Sequence, residues 1–503
     1  MSYIAHEEND TVETFNHQPE EETLKRSKLT VVLLAFALFA LPVAQAFASG
    51  YNLGGEGDKA TAMGGAFRAI ADDWSAMYWN PAGLAGQKNS ITFQFKALMP
   101  TTTVNTLNAG MPIYLREQEY STEAKTYPAG AFGLVYAIND KMTAGFSVFA
   151  PTAAGATWKN LVNIDPTQYS LSIPGLGTFP TPGTARDAVD WDGMMMVIDM
   201  HPTFAYKVNE QLRVGVGISI KYADITLQTP SPISDGYGSY YYAVGKLEGT
   251  GMGFGGNIGV MYDVNQKIHL GATFTLPTTL GISGTMTQSF YAPDLTAFAG
   301  MDPSYAWYDG TIKTAEMDGE ADFPVPMEAG FGIAYDVNEK LTVGLDISWT
   351  NWKTVDVITL KLTGTDVQGN AAEDTDLSMY YEDTIRYSLG ASYQLNPKLQ
   401  LRAGYYYDPS AIPNDYFIPT IPDVNGKHVF DIGAQYMIND KMAVSGYFEY
   451  VYTATRKITD LYTDPTSGSW ENVPGLWKFS LPSFGVGFHY FFGGAAASAD
   501  MGE

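Results

Sequence analysis

A tyrosine, a short asparagine-containing turn and a new alternating segment occur together six times in this chain. The copies are YAINDKMTAGFSVFAP from Tyr136, YKVNEQLRVGVGISIKY from Tyr206, YDVNQKIHLGATFTLP from Tyr262, YDVNEKLTVGLDISWT from Tyr335, YQLNPKLQLRAGYYYDP from Tyr393 and YMINDKMAVSGYFEY from Tyr436. They begin 70, 56, 73, 58 and 43 residues apart. Stacked repeats hold a nearly constant period because each unit buries its face on the next, so spacings this uneven mark turns, not units of a solenoid.

A strand directs alternate side chains to opposite faces, and the segments beside these turns obey that parity. After Tyr206, Leu212, Val214, Val216, Ile218, Ile220 and Tyr222 alternate with Arg213, Gly215, Gly217, Ser219 and Lys221. Ahead of Tyr393, Ile385, Tyr387, Leu389 and Ala391 alternate with Arg386, Ser388, Gly390 and Ser392. In the segments that lead into turns, the tyrosine falls on the apolar face. A bilayer interface favours a ring at headgroup depth with its hydroxyl in water, so the six tyrosines read as a periplasmic aromatic girdle. A soluble sandwich also alternates. It does not, however, gather its short turns on one side and connections of roughly 20 to 45 residues on the other. With residues 91–99 opening the series and 483–492 closing it, six turns join seven pairs of strands. The expected fold is all-β, a 14-stranded antiparallel transmembrane β-barrel whose even strand number leaves no free edge.

Composition agrees: 33 Tyr, 26 Phe and 51 Gly, with 17% charged residues, suit many strands and tight turns. The absence of cysteine excludes a disulfide framework and thiolate metal sites. A net charge of −25 argues against nucleic acid as a partner, because phosphate neutralisation needs clustered Lys and Arg. The apolar run at 29–41 follows Lys25, Arg26 and Lys28 and precedes small residues near Ala46 and Ala48, the pattern of a secretory signal peptide. The acidic residues ahead of it are atypical for a signal and suggest translation from Leu24. No later run reaches the ~18 apolar residues of a membrane helix. The expected organisation is a signal with an atypical extension (1–48), a lumenal segment (49–89), the barrel (90–492) and a tail (493–503).

The segment at 49–86 is glycine-rich and lacks strand alternation, and neither it nor GMGFGG at 251–256 has the βαβ surroundings of a nucleotide-binding loop. Its glycine–aromatic start, Gly64-Gly65-Ala66, Ala71-Asp72-Asp73 and Asn80-Pro81-Ala82 resemble the N-terminal hatch of FadL-type transporters of the outer membrane of Gram-negative bacteria. These carry long-chain fatty acids or, in some relatives, aromatic hydrocarbons. FAPTAAG from Phe149 to Gly155 is a second match. The resemblance implies a barrel plugged by its N-terminal segment and working with no energy-coupling partner and no cofactor. External loops capture a hydrophobic molecule, which passes to a lumenal site and moves as the hatch shifts. Asn80, Pro81, Ala82, Asp72 and Asp73 are then the gating candidates. The family's third strand bends to open the wall sideways, and here Gly145, Pro151 and Gly155 either permit that bend or simply end a strand.

A fatty-acid carboxylate needs a cation in the lumen, since a buried unpaired charge is costly. Parity turns Arg213, Lys221, Arg386 and Arg402 inward, with Arg386 and Lys221 the preferred headgroup ligands. It also turns Asp199, Glu328, Asp346, Asp431 and Glu449 inward, so lumenal salt bridges that brace the barrel compete with ligand binding for these cations. His201 and His269 face inward on different strands without ligand spacing, so no metal site is expected. Residues 287–310, rich in Phe, Tyr, Ala and Met, form either a first capture surface or a self-packed loop. Expected partners are a hydrophobic small molecule, membrane lipid and lipopolysaccharide. Long-chain fatty acids lead as cargo, with neutral or aromatic hydrocarbons as the alternative. A structural or adhesive barrel and an outer-membrane lipid hydrolase are readings of another class. No G-x-S-x-G supports the hydrolase, and an enzyme is not expected.

Overall fold

The computed structural model describes residues 50, 54–107, 118–159, 161, 170–173, 175, 177–180, 190–234, 240–291, 294–463 and 471–493. The signal region and the tail beyond residue 493 lie outside the described residues.

Among the described residues, one antiparallel sheet closes on itself through fourteen strands. The first seven are β1 (Ser90–Leu98, then Thr101–Thr106), β2 (Tyr127–Ala137), β3 (Met142–Ala154), β4 (Trp191–Lys207), β5 (Leu212–Ser234), β6 (Tyr240–Asp263) and β7 (Ile268–Thr275, then Thr278–Tyr291). The rest are β8 (Ile312–Val325, then Glu328–Asn338), β9 (Leu341–Thr350, then Val357–Thr363), β10 (Thr375–Ser378, then Thr384–Asn396), β11 (Leu399–Asp408), β12 (Lys427–Asn439), β13 (Met442–Thr453) and β14 (Gly475–Phe491). Closure is made by β1 on β14, in register from Ser90 opposite Phe491 to Leu98 opposite Ser483. Pro100, Pro277 and Pro326 stand at the interruptions of β1, β7 and β8, where a residue without N–H drops out of the ladder.

The burial pattern is inverted relative to a soluble sheet. Phe254 is 70% exposed and Ile432 61%, whereas Asp346 and Asp431, on the inner face, are 2% exposed. Only an apolar surround makes that arrangement favourable. The recurring asparagine explains the turns: three residues after each tyrosine, its side-chain oxygen accepts backbone N–H groups from the returning strand. Asn139 takes those of Lys141 and Met142, both at 2.9 Å, and Asn209, Asn265, Asn338 and Asn396 repeat the pattern. Asn439 receives the N–H of Lys441. Such an Asx turn reverses the chain within a few residues. Five of the six tyrosines are exposed and Tyr206 is half-buried, all at the turn end.

One expectation is corrected. The long connections of 20 residues or more do not hold between β9 and β10, which leave residues 364–374 between them, nor between β5 and β6, which leave only residues 235–239. The β5–β6 ladder continues to Ser234 opposite Tyr240, giving strands of 23 and 24 residues where a tilted crossing needs about 9 to 11. Pairing satisfies the backbone beyond the bilayer as well as within it, so a β-prone sequence goes on pairing and the wall projects outward. The opening and closing strands likewise outrun residues 91–99 and 483–492, reaching Thr106 and starting at Gly475.

Replacing Ile258 on the outer face of β6 by arginine should lower the unfolding free energy in lipid vesicles by ~2–3 kcal/mol. Tyr262→Arg, at the turn end of the same face, should cost ~0–1 kcal/mol in the same urea titration. Equal costs at both depths would contradict the placement of the bilayer.

Candidate functional site: a plug seated in the lumen

Residues 54–89 fold inside the ring as two short helices, α1 (Asp58–Ala62) and α2 (Ala76–Trp79), followed by a 3-10 turn (Pro81–Leu84). Met63, Phe67, Trp74, Met77 and Leu84 are fully buried in one apolar cluster with Ala131, Val135, Phe149, Ala205 and Met261 of the wall.

A belt of lumenal glycines makes room for this segment. A Cβ on Gly404 would lie 2.0 Å from the Gly64 nitrogen, on Gly390 2.3 Å from the Met63 carbonyl oxygen, and on Gly271 2.1 Å from that of Arg68. On Gly215 it would meet the Pro81 backbone at 2.3 Å, and on Gly133 the Trp74 side chain at 2.7 Å. The ladders set Gly215 opposite Gly259, Gly271 opposite Gly332, and Gly390 opposite both Gly344 and Gly404, so the belt runs around much of the barrel at one level. A side chain at Gly215, Gly271, Gly390 or Gly404 would displace plug backbone, and one at Gly133 the Trp74 ring.

Charged ties complete the seat. Lys96 of β1 meets Glu56 at 2.8 Å, and burial raises the Glu56 pKa above its ordinary value against that lysine's pull. Burial also opposes ionisation of Asp58, yet His489 at 3.4 Å and Arg402 at 4.0 Å hold its carboxyl well below the usual carboxylate range. Asp346 of β9 accepts the backbone N–H groups of Phe67 and Arg68 at 3.2 and 2.9 Å. The Arg68 side chain pairs with Glu328, donates to Thr273 at 3.0 Å and lies 5.3 Å over Trp79.

The expected gating residues are in this plug. Asn80 is fully buried; its amide donates to the carbonyls of Arg68 (2.8 Å) and Val260 (3.2 Å), and its oxygen accepts the Ala82 N–H. Pro81 opens the 3-10 turn, where its missing N–H costs nothing. Asp72 is exposed and pairs with Lys59 at 2.6 Å, while Asp73 accepts from the Ser75 backbone and hydroxyl. Between them and the helix, Ala71 holds φ +36°, a left-handed conformation, and Gln87 binds the Ala71, Asp73 and Gly83 carbonyls together.

The four expected headgroup cations are not gathered. Arg386 donates to the Gly54 and Gly64 carbonyls and stacks 3.7 Å from the Tyr406 ring; Arg402 serves Asp58, Gln400 and Gln435. Both hold the plug. Arg213 grips Asp263 with two 3.0 Å contacts, among His269 and Asp336 near the turns. Lys221, paired with Asp199 at 2.6 Å, borders a space in the lumen. That space is a cavity of ≈ 70 Å³ lined by Arg68, Tyr78, Trp79, Phe149, Pro151, Asp199, His201, Lys221 and Glu328. It has room for several waters, not for an acyl chain.

Strand β3 breaks beside this cavity. Its ladder with β2 ends at Val148 opposite Phe132, and its ladder with β4 jumps from Phe149–Asp199 to Thr152–Val197, leaving Ala150 and Pro151 in a bulge. Gly155 follows at φ +152°. Gly145 does not belong to this bend: it is regularly paired on both sides, and its missing side chain is replaced by Met77 and Leu84 of the plug. The loop at 294–311 carries two 3-10 turns, with Trp307 packed on Phe290 and Tyr308, and presents Met301 to solvent at 71% exposure.

The model of the outer membrane protein transport protein family (OMPP1/FadL/TodX) matches residues 184–492. The chain belongs to this family. A putative outer membrane protein of Neisseria meningitidis serogroup B is 25% identical over 437 residues, spanning 84% of this chain and 90% of that one. The long-chain fatty acid transport protein of Escherichia coli O6:H1 is 22% identical over 342 residues, 63% of this chain and 71% of that one. Among solved structures, a Pseudomonas aeruginosa FadL homologue (TM-score 0.67) and the Pseudomonas putida toluene transporter TodX (0.66) each share 18% identity, covering 88% of this chain and all of theirs. The protein is thus an outer-membrane barrel of a transport family for hydrophobic compounds, and not an enzyme.

Sequence reasoning missed Arg68 and the glycine belt. Both left a signal: Arg68 is an arginine set among small apolar residues, and Gly145, Gly215, Gly271 and Gly344 each fall six residues after a turn asparagine. Gly404→Val should unseat the plug and raise the conductance of the reconstituted barrel well above that of the parent, with unchanged β content by circular dichroism. Parental conductance would show that the belt does not hold the plug.

Proposed function

We propose that the protein takes up long-chain fatty acids passively, with residues 49–89 as a movable hatch and no energy-coupling partner. External loops, with Met301 and the neighbouring aromatic rings, collect the molecule. It then binds in the lumen at the cavity that carries Lys221 and Arg68, and leaves sideways where β3 parts from β2. The observation that carries this reading is a coincidence in space: a break in the wall at 148–152, two cations and several aromatic rings border one cavity.

The chemistry fits an amphiphile. Removing about a dozen methylenes from water yields ~10 kcal/mol, so capture needs little else from the protein. The carboxylate must meet a cation when it leaves water, and Lys221 is the wall cation at the cavity. The cavity is too small for cargo while the plug is seated, so transport on this reading requires the plug to move. The rings of Tyr78, Trp79 and Phe149 favour a second reading, neutral aromatic hydrocarbons.

Uptake of labelled oleate and labelled toluene by cells lacking their own transporter separates the two. Saturable oleate uptake that depends on this protein is expected; uptake of toluene alone would replace fatty acids by neutral cargo. Lys221→Met combined with Asp199→Asn removes both charges and leaves neither buried alone. The double variant should raise the half-saturating oleate concentration about tenfold, the loss of one charge-assisted hydrogen bond, while toluene uptake stays as it was.

A further inference from the structure

Arg68 is the one cation that belongs to the plug, borders the cavity and is tied to the wall by its side chain, among the described residues. Its contacts differ in kind. Asp346 is 2% exposed and accepts two plug backbone N–H groups as well as the guanidinium at 3.4 Å, so it is committed to the main chain. Glu328 touches only the Arg68 guanidinium among the contacts described, borders the same cavity, and its side chain is 29% exposed. It is the partner that an incoming anion can replace. Glycine at 330 leaves the space the guanidinium occupies, since a Cβ there would lie 2.0 Å from Nε. The Arg68 carbonyl in turn accepts the Asn80 amide, joining this side chain to the Asn-Pro-Ala turn.

We propose that Arg68 is a specificity-determining residue: the carboxylate of an acyl chain in the cavity exchanges with Glu328 on its guanidinium, and that exchange loosens the plug. The inference rests on the fatty-acid reading above. A ligand shifts an equilibrium only through a difference in its affinity for the two states. A carboxylate gains Arg68 only when Glu328 has given it up, so it favours the loosened plug. A neutral chain of the same length has no such preference. Lys221 is held by the wall residue Asp199 at 2.6 Å and touches no plug group among the contacts described.

The chain has no cysteine, so Ala60→Cys, at a fully buried plug position, gives a single reporter. Maleimide labelling of that protein in lipid vesicles is followed with palmitate or hexadecanol, beside direct binding of radiolabelled palmitate. Palmitate should speed labelling about tenfold and hexadecanol should not. In the Arg68→Gln background labelling should be fast and indifferent to palmitate; in Glu328→Gln, palmitate should act at a concentration about tenfold lower, the weaker competitor being easier to displace. Palmitate-dependent acceleration that survives Arg68→Gln, an equal effect of hexadecanol, or an unshifted palmitate response in Glu328→Gln overturns the role of Arg68. Palmitate that binds without altering labelling also overturns that role while sparing the fatty-acid reading, and failure of palmitate to bind at all overturns both. If Arg68→Gln does not insert, the shift in Glu328→Gln decides alone.

Discussion

Hydrocarbon offers no partner to a peptide N–H or C=O, and an unpaired one costs several kcal/mol. From that single constraint comes the closure of β1 on β14, and from closure the inverted distribution of side chains. Once the ring is shut, every second residue must face lipid, and the alternate ones inherit all the polarity the chain carries. At about eight strands those inward side chains fill the interior; at fourteen they do not. A space remains that must be an open channel or be occupied. Here the chain occupies it with its own segment before β1, and the wall gives way to that segment by omitting side chains at Gly215, Gly271, Gly390 and Gly404.

The fold was legible because its determinants are local and repeated. Parity along Leu212–Tyr222 and a tyrosine three residues before a turn asparagine are properties of short windows, and six copies with uneven spacing leave few sheets that could hold them. The length of β5 and β6 was not legible, because once a strand leaves the membrane its pattern no longer has to alternate apolar with polar. The site was less legible than the fold. Parity placed Arg386 and Lys221 in the lumen but was silent on what stands opposite them. Arg386 is held by plug carbonyls and Lys221 by Asp199, contacts between residues far apart in sequence. Gly145 was a bend candidate, with Pro151 and Gly155, through the resemblance to the family's third strand; in space it lies under Met77 and Leu84. Arg68 stood out in the sequence as a lone arginine, but its role was not legible for the same reason, its partners Glu328 and Asp346 lying 260 and 278 residues away.

The plug combines two kinds of contact that respond differently to displacement. Its apolar cluster with Val135, Phe149 and Met261 is non-directional and tolerates small shifts. Its charged ties are directional, and breaking one strands a buried charge unless another group takes the place of the lost partner. On the proposed exchange, a plug held in this way resists unassisted opening and yields where a mobile anion substitutes for a wall carboxylate.

That substitution bears on release, which for a hydrophobic cargo is harder than capture. An acyl chain worth ~10 kcal/mol to a static apolar pocket would leave it very slowly. With the plug seated, the cavity bordered by Arg68, Glu328, Lys221 and Asp199 measures ≈ 70 Å³, so on the proposed reading cargo and seated plug compete for it. On that reading, binding and reseating are mutually exclusive states of one volume. When the plug returns, Glu328 regains Arg68 and the glycine belt regains its backbone, and the free energy of those contacts is set against the burial of the chain. β3 parts from β2 beyond Val148 at that same volume, so on the proposed reading a displaced chain moves into lipid, where its methylenes remain buried. On the proposed reading, direction follows from the concentration gradient alone, without coupling to an external source of energy.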